Sequence, residues 1–152
     1  MGLIIRFSAI HGAGCFTTTA IGKGERVAEY TGRRLTRAQA NAIGQHSLIT
    51  YMFGLGDGST VIEGRCTAMY INHSCEPNCE SSEEDGRIWI TALCDIGAGE
   101  ELTYDYCLYD GDEDEAICHC GAANCRGTMY SKEEIRRRKA ARKKRGSRRP
   151  GR

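Results

Sequence analysis

The sequence has two prolines, one tryptophan and, before residue 131, a single lysine, Lys23. It has no apolar run near the roughly 20 residues that a membrane helix needs, and "GLIIRF" at its start is too short for a span or a secretory signal. No membrane contact is expected. No segment repeats, and strand-like and helix-like patterns do not alternate, which argues against a doubly wound sheet. The nine cysteines are an odd number, and three of them fall within eight residues near position 120. That pattern excludes a fully paired secreted disulfide framework and points to thiols and metal in a reducing, intracellular compartment. At 152 residues the chain is most simply one domain with room for a real core.

The formal net charge of +1 conceals two unlike parts. Residues 1–130 hold 9 Lys/Arg and 18 Asp/Glu, net −9, whereas residues 131–152 hold 12 Lys/Arg and 2 Glu, net +10. An acidic body suits a basic protein partner, and a basic tail suits nucleic acid or an acidic surface.

Most of the body reads as short strands divided by turn residues. β-Branched and aromatic runs at 3–7, 26–32, 49–55, 60–64 and 87–96 are the expected strands. "DGS" at 57–59 and "EDGR" at 84–87 are the expected hairpin turns. Thr36 with Gln39 forms a capping box for a helix over 36–44, which Gly44 can end. Ser131 with Glu134 forms a second box ahead of "KEEIRRRKAARKKR", a helix-forming run with hardly any apolar face. That segment is expected to be a solvated, fraying helix ending in a disordered "GSRRPGR".

"CHCGAANCRG" brings Cys118, Cys120 and Cys125 together, with Gly121 to let the backbone turn. Three close thiolates are three quarters of a tetrahedral zinc site. Cys75, Cys79, Cys107 and His119 are the candidates for the fourth ligand, His119 last because it points away from two flanking ligands. "YINHSCEPNC" at 70–79 adds a second dense cluster. His73 and Cys75 stand too close in sequence to be a hydrolase dyad.

"YINHSCEPNC", "GEELTYDYC" and "CHCGAANCRG", in that order, resemble the SET-domain protein lysine methyltransferases that carry a post-SET zinc motif. "HGAGCF" at 11–16 and "EYTG" at 29–32 look like the family's first cofactor loop and the following strand, so the resemblance covers residues 3–129. It implies a mainly β, β-clip-like fold of short sheets with a knot-like C-terminal crossing, few short helices and a zinc-bound post-SET loop. The implied domains are a SET domain at 3–108, a post-SET zinc-binding segment at 109–130, and a basic tail at 131–152 that is partly helical or disordered.

The resemblance also implies S-adenosyl-L-methionine on one face and a substrate lysine entering a narrow channel from the other. Gly12, Ala13 and Gly14 would hold the cofactor's methionine part, with Tyr30 on the next strand, and Asn72 and His73 at its amino-acid and adenine ends. Cys75 would complete the zinc tetrahedron with Cys118, Cys120 and Cys125. Tyr106 matches the catalytic tyrosine, Tyr104 the position that limits methyl number, and Tyr51 a channel-lining tyrosine. No carboxylate stands out as a base, so a water path is the expected proton route. Three departures accompany the match. Ala13 replaces a larger residue, Met69 replaces an arginine, and no cysteine-rich segment precedes residue 3, so the zinc-cluster region that often comes first is expected to be absent.

The implied substrate is a basic protein segment such as a histone-like tail or a ribosomal protein. Six acidic residues at 105–115 precede the zinc loop, where the family's substrate groove lies, though such a run is equally well a solvated loop. The tail offers nucleic-acid contact. It also carries "ARKK" at 141–144, which is expected to dock on the acidic face and to accept methyl groups, Lys143 first. The implied location is cytoplasm or nucleoid in a prokaryote and nucleus or chromosome in a eukaryote.

Overall fold

The structure, a computed structural model, describes residues 2–46 and 51–146. Along the chain run β1 (Leu3–Phe7), β2 (Ala13–Thr17), β3 (Arg26–Tyr30), β4 (Gly32–Thr36), α1 (Arg37–Gly44), β5 (Met52–Gly54) and β6 (Thr60–Gly64). After a 3₁₀ turn at Thr67–Tyr70 come β7 (Asn72–His73), β8 (Cys79–Glu84), β9 (Arg87–Ala92), β10 (Thr103–Tyr104) and α2 (Lys132–Gly146). They form four small sheets: β1-β2, β3-β9-β8, β4-β6-β5 and the parallel pair β10-β7. The fold is mainly β. Among the described residues no helix is long and apolar enough to cross a membrane.

β9 shows why these sheets hold together. Its sequence RIWITA alternates, so Ile88, Ile90 and Ala92 are buried while Arg87, Trp89 and Thr91 face the other way. Those three join Ile21, Ile71, Ile96 and Leu102 in one core cluster. Each of the Ile and Leu side chains contributes roughly 1.5–3 kcal/mol through burial. On the outer face Trp89 lies between the guanidiniums of Arg26 and Arg87, at 4.5 and 4.6 Å from its ring centre. The β8–β9 hairpin turns through Asp85 and Gly86, both at positive φ, as an Asp-Gly pair allows. At the β5–β6 turn the Asp57 carboxylate accepts the N–H groups of Ser59 and Thr60.

The structure alters several sequence expectations. The run 26–32 splits at Thr31, because β3 pairs with β9 and β4 with β6. Gly32 permits the crossing, since a Cβ there would lie 1.8 Å from the Glu63 carbonyl oxygen. The strand expected at 49–55 is Met52–Gly54, and residues 49 and 50 lie outside the described residues. β9 ends at Ala92 rather than at 96. Thr36 and Gln39 do form a reciprocal capping box, but Gly44 remains helical and Gln45 closes α1 in a right-handed conformation.

The second capping box is half made. The Glu134 N–H bonds Ser131 Oγ at 3.0 Å, but the Ser131 N–H is already given to the Leu108 carbonyl at 2.9 Å. The Glu134 side chain instead takes Arg137 and Arg138, each at 2.6 Å. α2 is therefore helical through Gly146 and held by charge, while the end expected to be disordered lies, from residue 147, outside the described residues. Arg138 lies 4.0 Å from the centre of the Tyr130 ring, and Arg138 and Arg142 both reach Glu113.

Hydrogen bonds from Arg137, and then from Arg138, pull the Glu134 carboxyl down to about 2 against the opposing effect of burial. A pKa depressed in the folded state contributes stability above the unfolded value near 4.5, and this is lost as pH falls toward 2. Far-ultraviolet circular dichroism should thus show α2 intact above about pH 5 and melting between about pH 4.5 and 2. In Glu134→Gln this acid transition should be absent and helix content lower at neutral pH.

Candidate functional site

Four residues around β7 hold the candidate site together. The Ile71 carbonyl accepts the Tyr106 hydroxyl at 2.8 Å. Asn72 Nδ2 donates to the carbonyls of His11 and Ala13, at 3.3 and 3.1 Å, and to Glu101 Oε1 at 2.9 Å. His73 Nδ1 accepts the Tyr106 backbone N–H at 3.1 Å, and its Nε2 lies 3.4 Å from Cys75 Sγ. The segment is buried because β7 pairs in parallel with β10, Asn72 beside Thr103 and His73 beside Tyr104.

Asn72 thus fastens the loop between β1 and β2. Ser8 Oγ donates to the same Glu101 carboxylate at 2.7 and 2.9 Å, so Glu101 joins the two ends of this loop to β7. Gly14 is required there, since a Cβ would meet Glu101 Oε1 at 2.3 Å. Gly12 sits at φ 43° with open space around it, leaving its backbone approachable by a ligand. Ala13 lies opposite Phe7, whose side chain is exposed. The loop suits close contact with a small polar ligand.

Next to this loop lies a chain of rings. Centroids of Tyr30–Phe53, Phe53–Tyr104 and Tyr104–Tyr106 are 5.5, 6.3 and 4.9 Å apart. His73 meets the edge of Tyr106 at 5.4 Å, and Tyr51 packs on Tyr70 at 5.5 Å. Burial raises the pKa of Tyr30, Tyr104 and Tyr106, so their hydroxyls stay neutral at physiological pH. Burial likewise drives His73 down to about 4, keeping the imidazole neutral despite Asp105 3.5 Å away. Neutral rings and hydroxyls give this desolvated cluster an uncharged, largely apolar lining.

Beyond His73 is a metal-competent cluster. Sγ atoms of Cys75, Cys118, Cys120 and Cys125 all lie within 4.8 Å of one another. The Cys75–Cys118 and Cys118–Cys125 separations are 3.8 and 3.7 Å. A tetrahedron with zinc–sulfur bonds of about 2.3 Å has edges of about 3.8 Å, whereas a disulfide would need about 2.05 Å. Backbone N–H groups point at the sulfurs, Arg126 to Cys75 at 3.3 Å and Cys75 to Cys120 at 3.4 Å, which favours thiolates. Burial opposes ionisation of Cys120, but the Cys75 and Ala122 N–H groups outweigh it and bring its pKa to about 6. The donor set fits one zinc ion. Cys79 is buried in the core, Cys107 is exposed with its N–H on Asp105, and His119 is exposed, so none joins the tetrad.

The sequence singles out Tyr51, Tyr104 and Tyr106 but not Phe53, which joins Tyr30 to Tyr104 in the ring chain, nor Tyr70, which packs on Tyr51. The signal for Phe53 was its place two residues after Tyr51 along a strand, on the same face. Glu101 and Ser8 gave no local signal, since a distant asparagine defines their role. Met69, where an arginine was expected, packs against the core. Half of the acidic run is paired with arginines: Asp105 with Arg126 at 2.8 Å, Asp110 with Arg37 at 3.2 Å, and Glu113 with α2. Residues 141–144 lie within α2, and Arg142 is held on Glu113.

A family model described as the SET domain matches residues 12–107. The chain is 39% identical over 139 residues to the histone-lysine N-methyltransferase ATX2 of Arabidopsis thaliana, covering 83% of this chain and 13% of that protein. Over 140 residues it is 39% identical to the H3 lysine-4 specific histone-lysine N-methyltransferase of Saccharomyces cerevisiae, covering 80% and 12%. Over 137 residues it is 37% identical to mouse NSD3, also a histone-lysine N-methyltransferase, covering 78% and 9%. The chain therefore spans about an eighth or less of the length of these relatives.

The tetrad geometry generates a metal prediction. Elemental analysis of purified protein should give one zinc per chain. Cys75→Ser and Cys120→Ser should lose it and Cys79→Ser retain it. Retention by Cys75→Ser with loss by Cys79→Ser would reassign the fourth ligand.

Proposed function

The chain belongs to the SET-domain family, and from that premise we propose that it is an S-adenosyl-L-methionine-dependent protein-lysine N-methyltransferase acting on a basic protein segment. One observation supports this most: residues 71–75 tie a glycine loop, a tyrosine-rich ring chain and a four-thiol cluster into one site. A purely structural zinc module would need only the last of the three. In this reading the SET part is residues 3–108, the zinc-binding part 109–130 and the basic tail 131–152.

S-adenosyl-L-methionine supplies an activated methyl group on a sulfonium. Gly12, Ala13, Gly14, Tyr30, Asn72 and His73 would hold it, the loop kept in place by Asn72 and Glu101. Zinc on Cys75, Cys118, Cys120 and Cys125 would hold the C-terminal segment beside them. The protein's task is then positioning. Tyr106, its hydroxyl anchored on the Ile71 carbonyl, orients the incoming amine. Tyr104, buried against Tyr106, fills room that a partly methylated amine would need. Tyr51 lines the lysine entrance. The amine must arrive neutral. Its ordinary pKa of about 10.4 falls on desolvation among the rings, and the proton leaves by water.

The relatives' names specify histone lysine, which makes a histone or histone-like tail the first substrate class to test, with basic ribosomal proteins second. Such substrates place the protein inside the cell, on chromatin in a eukaryote. Nucleic acid is the second partner in this reading, held by the basic segment after residue 130.

Calorimetry with S-adenosylhomocysteine should show stoichiometric binding; a scaffold that only uses the fold would show none. Tyr106→Phe should lower turnover on the order of 100-fold with cofactor affinity nearly unchanged. Tyr104→Phe should stay active and shift product mass toward higher methylation. An unaltered product distribution would remove the assigned role of Tyr104.

A further inference from the structure

Seven of the nine cations of α2 divide into two groups by face. Glu134, Arg138 and Arg142, four residues apart, form the inner stripe: Arg138 pairs with Glu134 and Glu113, and Arg142 with Glu113. Arg137, at the edge of this stripe, pairs with Glu134. These arginines are already engaged by the protein's own carboxylates. Lys132, Arg136, Lys139 and Lys143 follow a different spacing, i, i+4, i+7 and i+11. At 3.6 residues per turn they fall within a sector of about 60°, on the far side from Glu134 and Arg138. All four are exposed, and none has an ion pair among the described residues. The stripe runs about 16 Å along the helix axis.

We infer that this outer stripe of Lys132, Arg136, Lys139 and Lys143 is a docking face for duplex nucleic acid, read through its phosphates without base sequence. The inference deepens, and rests on, the nucleic-acid part of the proposed function; it does not depend on methyl transfer. Charge and spacing carry it. A duplex presents one phosphate charge per about 1.7 Å of axis, so a stripe of this length meets more phosphates than it has cations. Neighbouring cations on one helix face lie about 5–6 Å apart and engage the backbone together rather than one at a time. α2 contains no aromatic residue on which unpaired bases could stack, which favours a duplex over a single strand. The two-face division also has a consequence: nucleic acid can occupy the outer stripe while Arg138 and Arg142 stay on Glu113. Contact with the polyanion then does not require α2 to leave the body of the protein.

The test is fluorescence anisotropy of a labelled mixed-sequence DNA duplex titrated with the full chain across about 50–200 mM salt. Lys132, Arg136, Lys139 and Lys143 are replaced together by Gln, which keeps helix propensity, and circular dichroism verifies that α2 persists. A second variant carries Gln at Arg137, Arg138 and Arg142. The outer variant should bind at least about 10-fold more weakly, with a log–log salt slope shallower by about 3 to 4. In the inner variant the slope should change by less than about 1. Arg148, Arg149 and Arg152 are common to all forms and cancel in the comparison. Equal loss of slope per residue in both variants would overturn the face assignment while leaving nucleic-acid contact standing. No binding by the unsubstituted chain would overturn both, and equally tight, equally salt-sensitive binding to polyglutamate would overturn the choice of nucleic acid.

Discussion

The site depends on one constraint: four sulfurs from two distant parts of the chain meet in a space that suits a single metal ion. Cys75 lies two residues past β7, whereas Cys118, Cys120 and Cys125 lie more than 40 residues later. Without a metal, burial holds the Cys75 and Cys118 thiols toward the protonated form, and only weak sulfur hydrogen bonds join the cluster. With one, each becomes a ligand, and the C-terminal segment is tied beside β7. Apparent binding free energies for structural zinc, about 10–16 kcal/mol, equal or exceed the whole stability of an ordinary domain.

Everything around Cys75 is arranged on that joint. Arg126, just past the last cysteine, reaches Asp105, which is hydrogen-bonded by the Cys107 N–H and lies beside His73. Tyr106 stands between those contacts, its N–H on His73 and its hydroxyl on Ile71. Displacing the cysteine loop would remove Arg126 from Asp105 and loosen the turn that aims Tyr106. The β3-β9-β8 sheet packs on an apolar core that it shares with Ile71, Leu102 and Tyr104, and its strands carry none of the four clustered thiols. A metal at the four thiols would thus couple the sheet body to the C-terminal segment, with Tyr106 between them.

Much of this was legible in the sequence where the signal is local. The strand-like composition from Arg87, the Asp-Gly turn and the Thr36 capping box each express a short-range rule and each has its counterpart in the structure, though the strand ends at Ala92. The run 26–32 reads as one strand because propensity does not reveal a change of sheet partner; the crowding at Gly32 does. α2 reads as a solvated helix because it has almost no apolar face, yet Glu113 holds it from about 25 residues away. Periodicity carries no trace of such an ion pair. In the site, motifs exposed the cysteines and three tyrosines, while Glu101 and Phe53 acquire their place only through Asn72 and Tyr104. The acidic run, read as one feature, is divided by arginines from three different parts of the chain.

The central claim is that metal at the four thiols holds the C-terminal wall against β7 and so maintains the ring chain. Hydrogen–deuterium exchange on zinc-loaded and chelator-stripped protein tests it most directly. The expected result is faster exchange on stripping in residues 72–75 and 104–130, with β3, β8 and β9 still protected. Unchanged protection of residues 104–108 after verified zinc removal would contradict the account.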